Sequence, residues 1–176
     1  MVWIWRICIA GEKCLGIGYL EGYKPLLLET KDLVNWNVVS ELPVDGIPTE
    51  ADLVVYDNTI MVVLRRDGDT AYFCSKPMDS TAWECINMGL QFDSPCIGHV
   101  DGKSIVVAGR LFSEDKRETG IINYKYHSNK YDILDVTSIN SPDCAYPGIV
   151  AYNGILYMSY YEGNYTNAKI HLRRYK

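Results

Sequence analysis

Three turn pairs, Asp57-Asn58, Asp101-Gly102 and Asn153-Gly154, each stand between two short apolar runs, and they recur about 44 and 52 residues apart. Asn, Asp and Gly tolerate the positive φ that a two-residue turn between twisted strands demands, so each pair reads as a hairpin. A hairpin repeated at this interval has the period of a four-stranded propeller blade. The repeat excludes a helical bundle and an alternating β-α chain.

The rest of the chain agrees. Runs rich in Val, Ile, Tyr and Leu, such as Val2 to Ile9, Cys14 to Leu20, Ile60 to Leu64, Gly120 to Tyr126 and Ile155 to Tyr161, end in Gly, Asn, Asp or Pro, and almost no 3.6-residue period occurs. The expected fold is all-β: a β-propeller of four-stranded antiparallel blades, about four in number. The 176 residues suffice for one packed domain and are too few for two large ones. The units run roughly 1–47, 48–92, 93–141 and 142–176. Thr30-Lys31-Asp32 before Trp36, and Ser75-Lys76-Pro77 before Trp83, stand where outer strands of the first two units should turn. The last unit is short by about one strand, which the N-terminal strand is expected to supply by closing the ring.

A formal net charge of -5 without a basic run argues against nucleic acid or an anionic membrane as main partner. No apolar stretch approaches the roughly 20 residues of a membrane helix. Met1 to Ala10 is apolar but holds Arg6 and lacks a basic lead-in, so it reads as a strand rather than a secretory signal, which implies a cytoplasmic chain if Met1 is the true start. The six cysteines (Cys8, Cys14, Cys74, Cys85, Cys96 and Cys144) form no CxxC, and reduced, mostly buried thiols are expected over disulfides. His99, His127 and His171 are scattered, so neither a metal nor another cofactor is expected.

In a propeller the innermost strand of each blade lines the central channel, so equivalent positions converge on one rim. Seven residues before the three turns stand Glu50, Ser94 and Tyr146; nine after their start stand Arg66, Arg110 and Glu162. A one-residue slip in the hairpin would select Arg65 instead of Arg66, since neighbours on a strand point to opposite faces. A lone charged residue at a strand end is ordinarily just solvated. Charged groups and a Tyr in register across three repeats favour a shared site. Asp52, Asp93 and Asp143 lie near the same rim and could act as acids, with nothing to single one out. Trp3, Trp5, Trp36 and Trp83 are better read as blade packing than as sugar platforms.

At these residues the sequence resembles the sialidase-like glycosidases, β-propellers with Asp-box (BNR) repeats. Pro48-Thr49-Glu50-Ala51 leading to Arg65-Arg66-Asp67 is similar to the family's Glu-bearing strand that ends in an arginine. Ser94-Pro95-Cys96 through Ala108-Gly109-Arg110 is similar to the following blade, and Asp143-Cys144-Ala145-Tyr146-Pro147-Gly148 with Tyr160-Tyr161-Glu162 to the closing tyrosine segment. Trp3-Ile4-Trp5-Arg6 with Gly16-Ile17-Gly18-Tyr19 also fits the bacterial branch. Thr30-Lys31-Asp32-Leu33-Val34-Asn35-Trp36 departs from the Asp-box pattern, lacking the Gly and one residue.

The resemblance implies a retaining glycoside hydrolase acting on terminal acidic sugars. Tyr146 would be the nucleophile, a neutral phenol that the substrate carboxylate does not repel. Glu50 would be its base, and Arg65 or Arg66 with Arg110 the anion clamp. Glu162 would stand where the family's carboxylate holds its first substrate arginine, which is lacking here. The family usually has six blades. The N-terminal part that carries its first substrate arginine and its acid/base Asp has no counterpart here, so the chain corresponds to the C-terminal part. The competing expectation is a non-catalytic propeller that binds a glycan or a protein, or a truncated piece of a longer enzyme. An incomplete propeller would also self-associate through its open edges.

Overall fold

The computed structural model describes residues 2–100, 104–113, 116–138, 141–164 and 166–176. The expected turn at Asp101-Gly102 lies outside the described residues. The chain is all-β, and its four antiparallel sheets are blades of a β-propeller fold. Its described helical structure is a single 3-10 turn at Tyr126–Ser128. Among the described residues no helix is long and apolar enough to cross a membrane.

Two compact units divide the chain, Met1–Gly89 and Leu90–Lys176. The first holds sheet one, β1 (Trp3–Ala10), β2 (Lys13–Tyr19), β3 (Leu26–Thr30) and β4 (Asn37–Glu41), and sheet two, β5 (Pro48–Tyr56), β6 (Thr59–Arg66), β7 (Tyr72–Pro77) and β8 (Glu84–Asn87). The second holds sheet three, β9 (Phe92–Val100), β10 (Ser104–Ser113), β11 (Lys116–Lys125) and β12 (Lys130–Thr137), and the three-stranded sheet four, β13 (Asp143–Tyr152), β14 (Ile155–Gly163) and β15 (Lys169–Tyr175). Each sheet is an up-and-down meander in sequence order.

Hairpin chemistry sets these registers. Asp57 and Asn58 both have positive φ, as do Asn153 and Gly154, so each pair closes a tight turn that locks Tyr56 opposite Thr59 and Tyr152 opposite Ile155. The N-terminal strand does not complete the last blade as expected. β1 pairs with β2 through the turn at Gly11, whose φ is +66°, because a local hairpin closes at far lower entropic cost than a distant pairing.

Alternation along the strands builds the cores. In the first unit Leu15, Ile17 and Leu27 of sheet one pack with Leu53, Val62 and Leu64 of sheet two, sealed by Leu42 and Val44. In the second, Val106, Ala108 and Ile121 pack with Leu156, Met158 and Tyr160. Each fully buried large side chain contributes roughly 1.5–3 kcal/mol. The outer turns are pinned by side chains. Thr30 Oγ1 accepts the amides of Asp32 and Leu33, and Asp32 Oδ1 those of Val34 and Asn35. The bonds from Asn35 and Val34 hold the Asp32 carboxyl far below the usual carboxylate range. Between β7 and β8, Lys76 Nζ donates to Ser80 O at 2.8 Å and lies over the Trp83 ring.

One expectation about the cysteines is overturned. Cys74 and Cys85 face each other across β7 and β8 with their Cα atoms 4.1 Å apart and form a disulfide. Cys8, Cys14, Cys96 and Cys144 are free thiols.

Every inner strand carries the same irregularity: two residues oppose one, a β-bulge. The pairs are Trp5-Arg6 against Ile17 in sheet one, Thr49-Glu50 against Arg65 in sheet two, Ser94-Pro95 against Gly109 in sheet three, and Tyr146-Pro147 against Tyr160 in sheet four. Ser94, Ala145 and Tyr146 have positive φ, which side chains other than glycine adopt only at a cost. A bulge bends the strand and re-aims its side chains.

Candidate functional site

The bulges hold the three residues selected by counting back from the turns. Glu50 is the second bulge residue of β5, while Ser94 and Tyr146 are the first of β9 and β13. The turn count is thus off by one between sheet two and the others.

In the first unit the two adjacent arginines take different partners. Arg65 stands opposite the bulge, with Nη1 3.1 Å from Glu50 Oε2 and Nη2 2.9 Å from Asp67 Oδ1. Arg66 points to the other face and is buried. Its Nη1 pairs with Asp45 at 2.8 Å and Nη2 with Asp69 at 3.0 Å; Nε donates to Thr70 O, and the guanidinium lies over the Tyr72 ring. These bonds lock the 66–72 turn. Tyr19, at the end of β2, joins the Glu50 cluster: burial first, and then the Glu50 charge, push its phenol above the ordinary value. Trp3, opposite Tyr19 in register, is 60% exposed. Asp52 turns elsewhere, accepting the Leu53 amide and facing the Cys8 thiol, whose pKa is raised chiefly by burial.

In the second unit Arg110, Asp143, Tyr146 and Tyr161 come together. Arg110 Nη2 lies 2.7 Å from Asp143 Oδ1 and donates to Cys144 O at 2.6 Å, while Nε donates to the same carbonyl at 3.1 Å. The Tyr161 hydroxyl donates to the other carboxylate oxygen, Asp143 Oδ2. Burial first, and then this bond, push the Tyr161 phenol up to about 12, so it stays a donor through the physiological range. The rings of Tyr146 and Tyr161 stack with centroids 6.0 Å apart, and Arg110 lies over the Tyr146 ring at 5.9 Å. The Tyr146 amide donates to Ser94 Oγ at 3.3 Å, tying the two bulges of this unit together. These groups border a cavity of about 640 Å³ lined by Pro142, Asp143, Tyr146, Tyr161, Asn164 and Ala168. Asp93, buried, stands opposite Arg110 in register.

Glu162 is not part of this cluster. It follows Tyr161 on β14 and so faces the other way, where its Oε1 lies 3.0 Å from His171 Nε2. The carboxylate that Arg110 holds is Asp143. Tyr161 and Tyr19 were missed by the sequence reading. Their only signal was the alternation that places Tyr161 on the same side as Tyr146, and it is hard to isolate among 14 tyrosines. His99 lies on β9, and His127 packs its ring against Tyr126. Among the described residues no group of three or more His, Cys, Asp or Glu could hold a metal ion.

Chemically, the cavity offers one carboxylate as acceptor, a fixed phenol beside it and an exposed aromatic face. Polar groups that fix orientation within a mostly apolar lining are the usual composition of a small-molecule site.

No protein-family model matches this sequence and no curated protein matches it. Solved structures do. The Bacteroides ovatus xyloglucan PUL protein GH43B is similar over 97% of this chain and 38% of its own, with a TM-score of 0.73 and 13% identity. An α-L-arabinofuranosidase from Clostridium thermocellum, CtGH43, is similar over 96% of this chain and 67% of its own, with a TM-score of 0.65 and 12% identity. An endo-arabinase from Bacteroides thetaiotaomicron is similar over 97% of this chain and 73% of its own, with a TM-score of 0.63 and 11% identity. At such identities the likeness is one of fold, and the chain spans well under half the length of the first of these proteins.

Proposed function

We propose that this chain is part of a β-propeller glycoside hydrolase and that the cavity beside Asp143, Tyr146 and Tyr161 binds a sugar ring. The observation that carries the reading is the Arg110–Asp143–Tyr161 cluster set against the exposed Tyr146 ring. Asp143, oriented from one side by a guanidinium and from the other by a phenol, is placed to accept sugar hydroxyls; the Tyr146 face covers the apolar side of a ring. The fold likeness to glycoside hydrolases supports the reading.

The charge balance favours a neutral sugar. The charged group lining the cavity is a carboxylate, and the Nε–Nη2 edge of Arg110 is already spent on Cys144 O and Asp143. An acidic sugar would bring a second negative charge to Asp143 without a free bidentate partner.

A sialidase-like reading, with Tyr146 as nucleophile and Arg110 as an anion-holding arginine, is the second candidate. It is favoured by one observation: Tyr146 is 41% exposed at the cavity on a positive-φ backbone, where strain often marks a working residue.

Calorimetric titration of the purified chain with a methyl arabinofuranoside and with an unsaturated sialic acid analogue separates the two. Saturable binding of the neutral glycoside, lost in Tyr146→Ala and in Asp143→Asn, supports the first. Binding of the sialic acid analogue alone, lost in Arg110→Ala, supports the second. If neither ligand binds, the cavity is not a sugar site of either kind.

A further inference from the structure

In each unit one sheet face is packed and the other is apolar yet open. On sheet one, Leu15, Ile17 and Leu27 turn toward the core. Residues of the opposite parity share the other face. A side chain at Gly16 would meet Ile4 and Ile7, and one at Gly18 would meet Val2 and Leu28. Ile9 continues this row opposite Cys14, and Val38 stands opposite Leu28. Ile9 is 78% exposed and Val38 61%. Glu41, opposite Leu26, brings an exposed acid to the same face.

Sheet four repeats the pattern. Leu156, Met158 and Tyr160 turn to the core, while Tyr157, Ser159 and Tyr161 turn away, opposite Val150, Leu172 and Ile170. Ile170 is 80% exposed and Leu172 70%. Arg174, opposite Tyr157, brings an exposed base to this face, and β15 carries Lys169, Arg173 and Arg174 without an acid. Contiguous apolar surface of this kind on a sheet marks an interaction site.

We propose that the outward face of sheet one in one copy of the chain packs on the outward face of sheet four in another. The two faces match in kind, since each is a twisted sheet with an aliphatic row, and in charge, since Glu41 belongs to one and Arg174 to the other. The contact is heterologous, so copies assemble head to tail. It also completes the cavity: Tyr161 lines the cavity and stands opposite Ile170, so the open side of the cavity lies along the face to be covered. This last step rests on the sugar-site reading above; the association does not.

Sedimentation velocity of the full chain across the micromolar range tests the association, and two variants test its geometry. Wild type is expected to gain mass with concentration, whereas Ile9→Asp and Ile170→Asp, each checked for an unchanged circular dichroism spectrum, are expected to lose assembly. Each variant keeps one intact face, so an equimolar mixture of the two is expected to form heterodimers. A wild type that stays monomeric, an assembly indifferent to both variants, or a mixture that does not pair overturns the proposal. Titrating the same samples with the methyl arabinofuranoside addresses the cavity. Tighter binding in assembled wild type than in Ile170→Asp is expected, and equal affinity overturns the completion step while leaving the association standing. If neither sample binds that sugar, the sugar-site reading and the completion step both fall, again without touching the association.

Discussion

Arg110 on β10 reaches Asp143 on β13 at 2.7 Å and grips the neighbouring Cys144 carbonyl with two donors, so one side chain joins sheet three to sheet four. The guanidinium is largely buried and Asp143 half open. Arg110→Ala strands the carbonyl and leaves the carboxylate held by the Tyr161 hydroxyl and the Cys144 amide. It is expected to cost about 2 kcal/mol in urea unfolding. Arg110→Lys should recover only part of this, because an ammonium cannot supply the planar fork.

Tyr161 sets a pH dependence at the alkaline end. Its folded-state pKa is raised from 10 to about 12 by burial and by the bond to Asp143. The neutral phenol is therefore favoured in the fold. Its stabilisation is complete below pH 10 and disappears as pH rises through about 12. Alkaline unfolding curves of wild type and Tyr161→Phe should converge over this window, and curves that stay parallel would contradict the assignment.

The Cys74–Cys85 bridge predicts a thiol count. Ellman titration of unfolded, unreduced protein should find four thiols, matching the free Cys8, Cys14, Cys96 and Cys144. Replacing both bridged residues with Ala should lower stability by roughly 2–3 kcal/mol, the entropy of closing so short a loop. A count of six would show that the strands β7 and β8 pair without the bond.

Arg65 and Arg66 should behave differently although adjacent. Arg66→Met removes a buried guanidinium bonded to Asp45, Asp69 and Thr70, and should cost about 3 kcal/mol. Arg65→Met should cost less, because Asp67 is solvated, but it deprives the buried Glu50 of a partner. The urea unfolding midpoint should therefore fall less in Arg65→Met than in Arg66→Met.

Gly109 opposes the Ser94-Pro95 bulge, and a Cβ there would come within 2.3 Å of Phe92 Cε1 and 2.6 Å of the Asp93 carbonyl oxygen. The backbone oxygen cannot yield cheaply. Gly109→Ala should destabilise the second unit by roughly 1–3 kcal/mol, measurable as a lower midpoint in thermal unfolding.

The blade repeat was legible because turn chemistry is local: Asp57-Asn58 and Asn153-Gly154 announce positive φ in their own side chains. The site was legible only in part. Counting nine residues on from a two-residue turn overshoots by one: the ladder that starts with Tyr56 opposite Thr59 runs to Ala51 opposite Leu64, so the next residue, Arg65 and not Arg66, comes to Glu50. Glu162 was selected by the same count and lost to the same register, which with Tyr152 opposite Ile155 brings Tyr161, not Glu162, beside Tyr146. The disulfide was hidden for a different reason. Nothing near Cys74 or Cys85 in the sequence reveals that β7 and β8 place them side by side, since that register comes from Tyr72 meeting Asn87 across the hairpin.

Two residues facing one in every inner strand have a wider consequence. A regular ladder position is matched one to one with a residue across the strand, whereas the two residues of a bulge share a single residue opposite them. Trp5-Arg6, Thr49-Glu50, Ser94-Pro95 and Tyr146-Pro147 differ in charge, size and polarity, yet the surrounding sheets keep one pattern. The scaffold thereby separates inheritance of shape from inheritance of chemistry: each blade offers one slot whose occupant can be exchanged without renegotiating the rest of the blade.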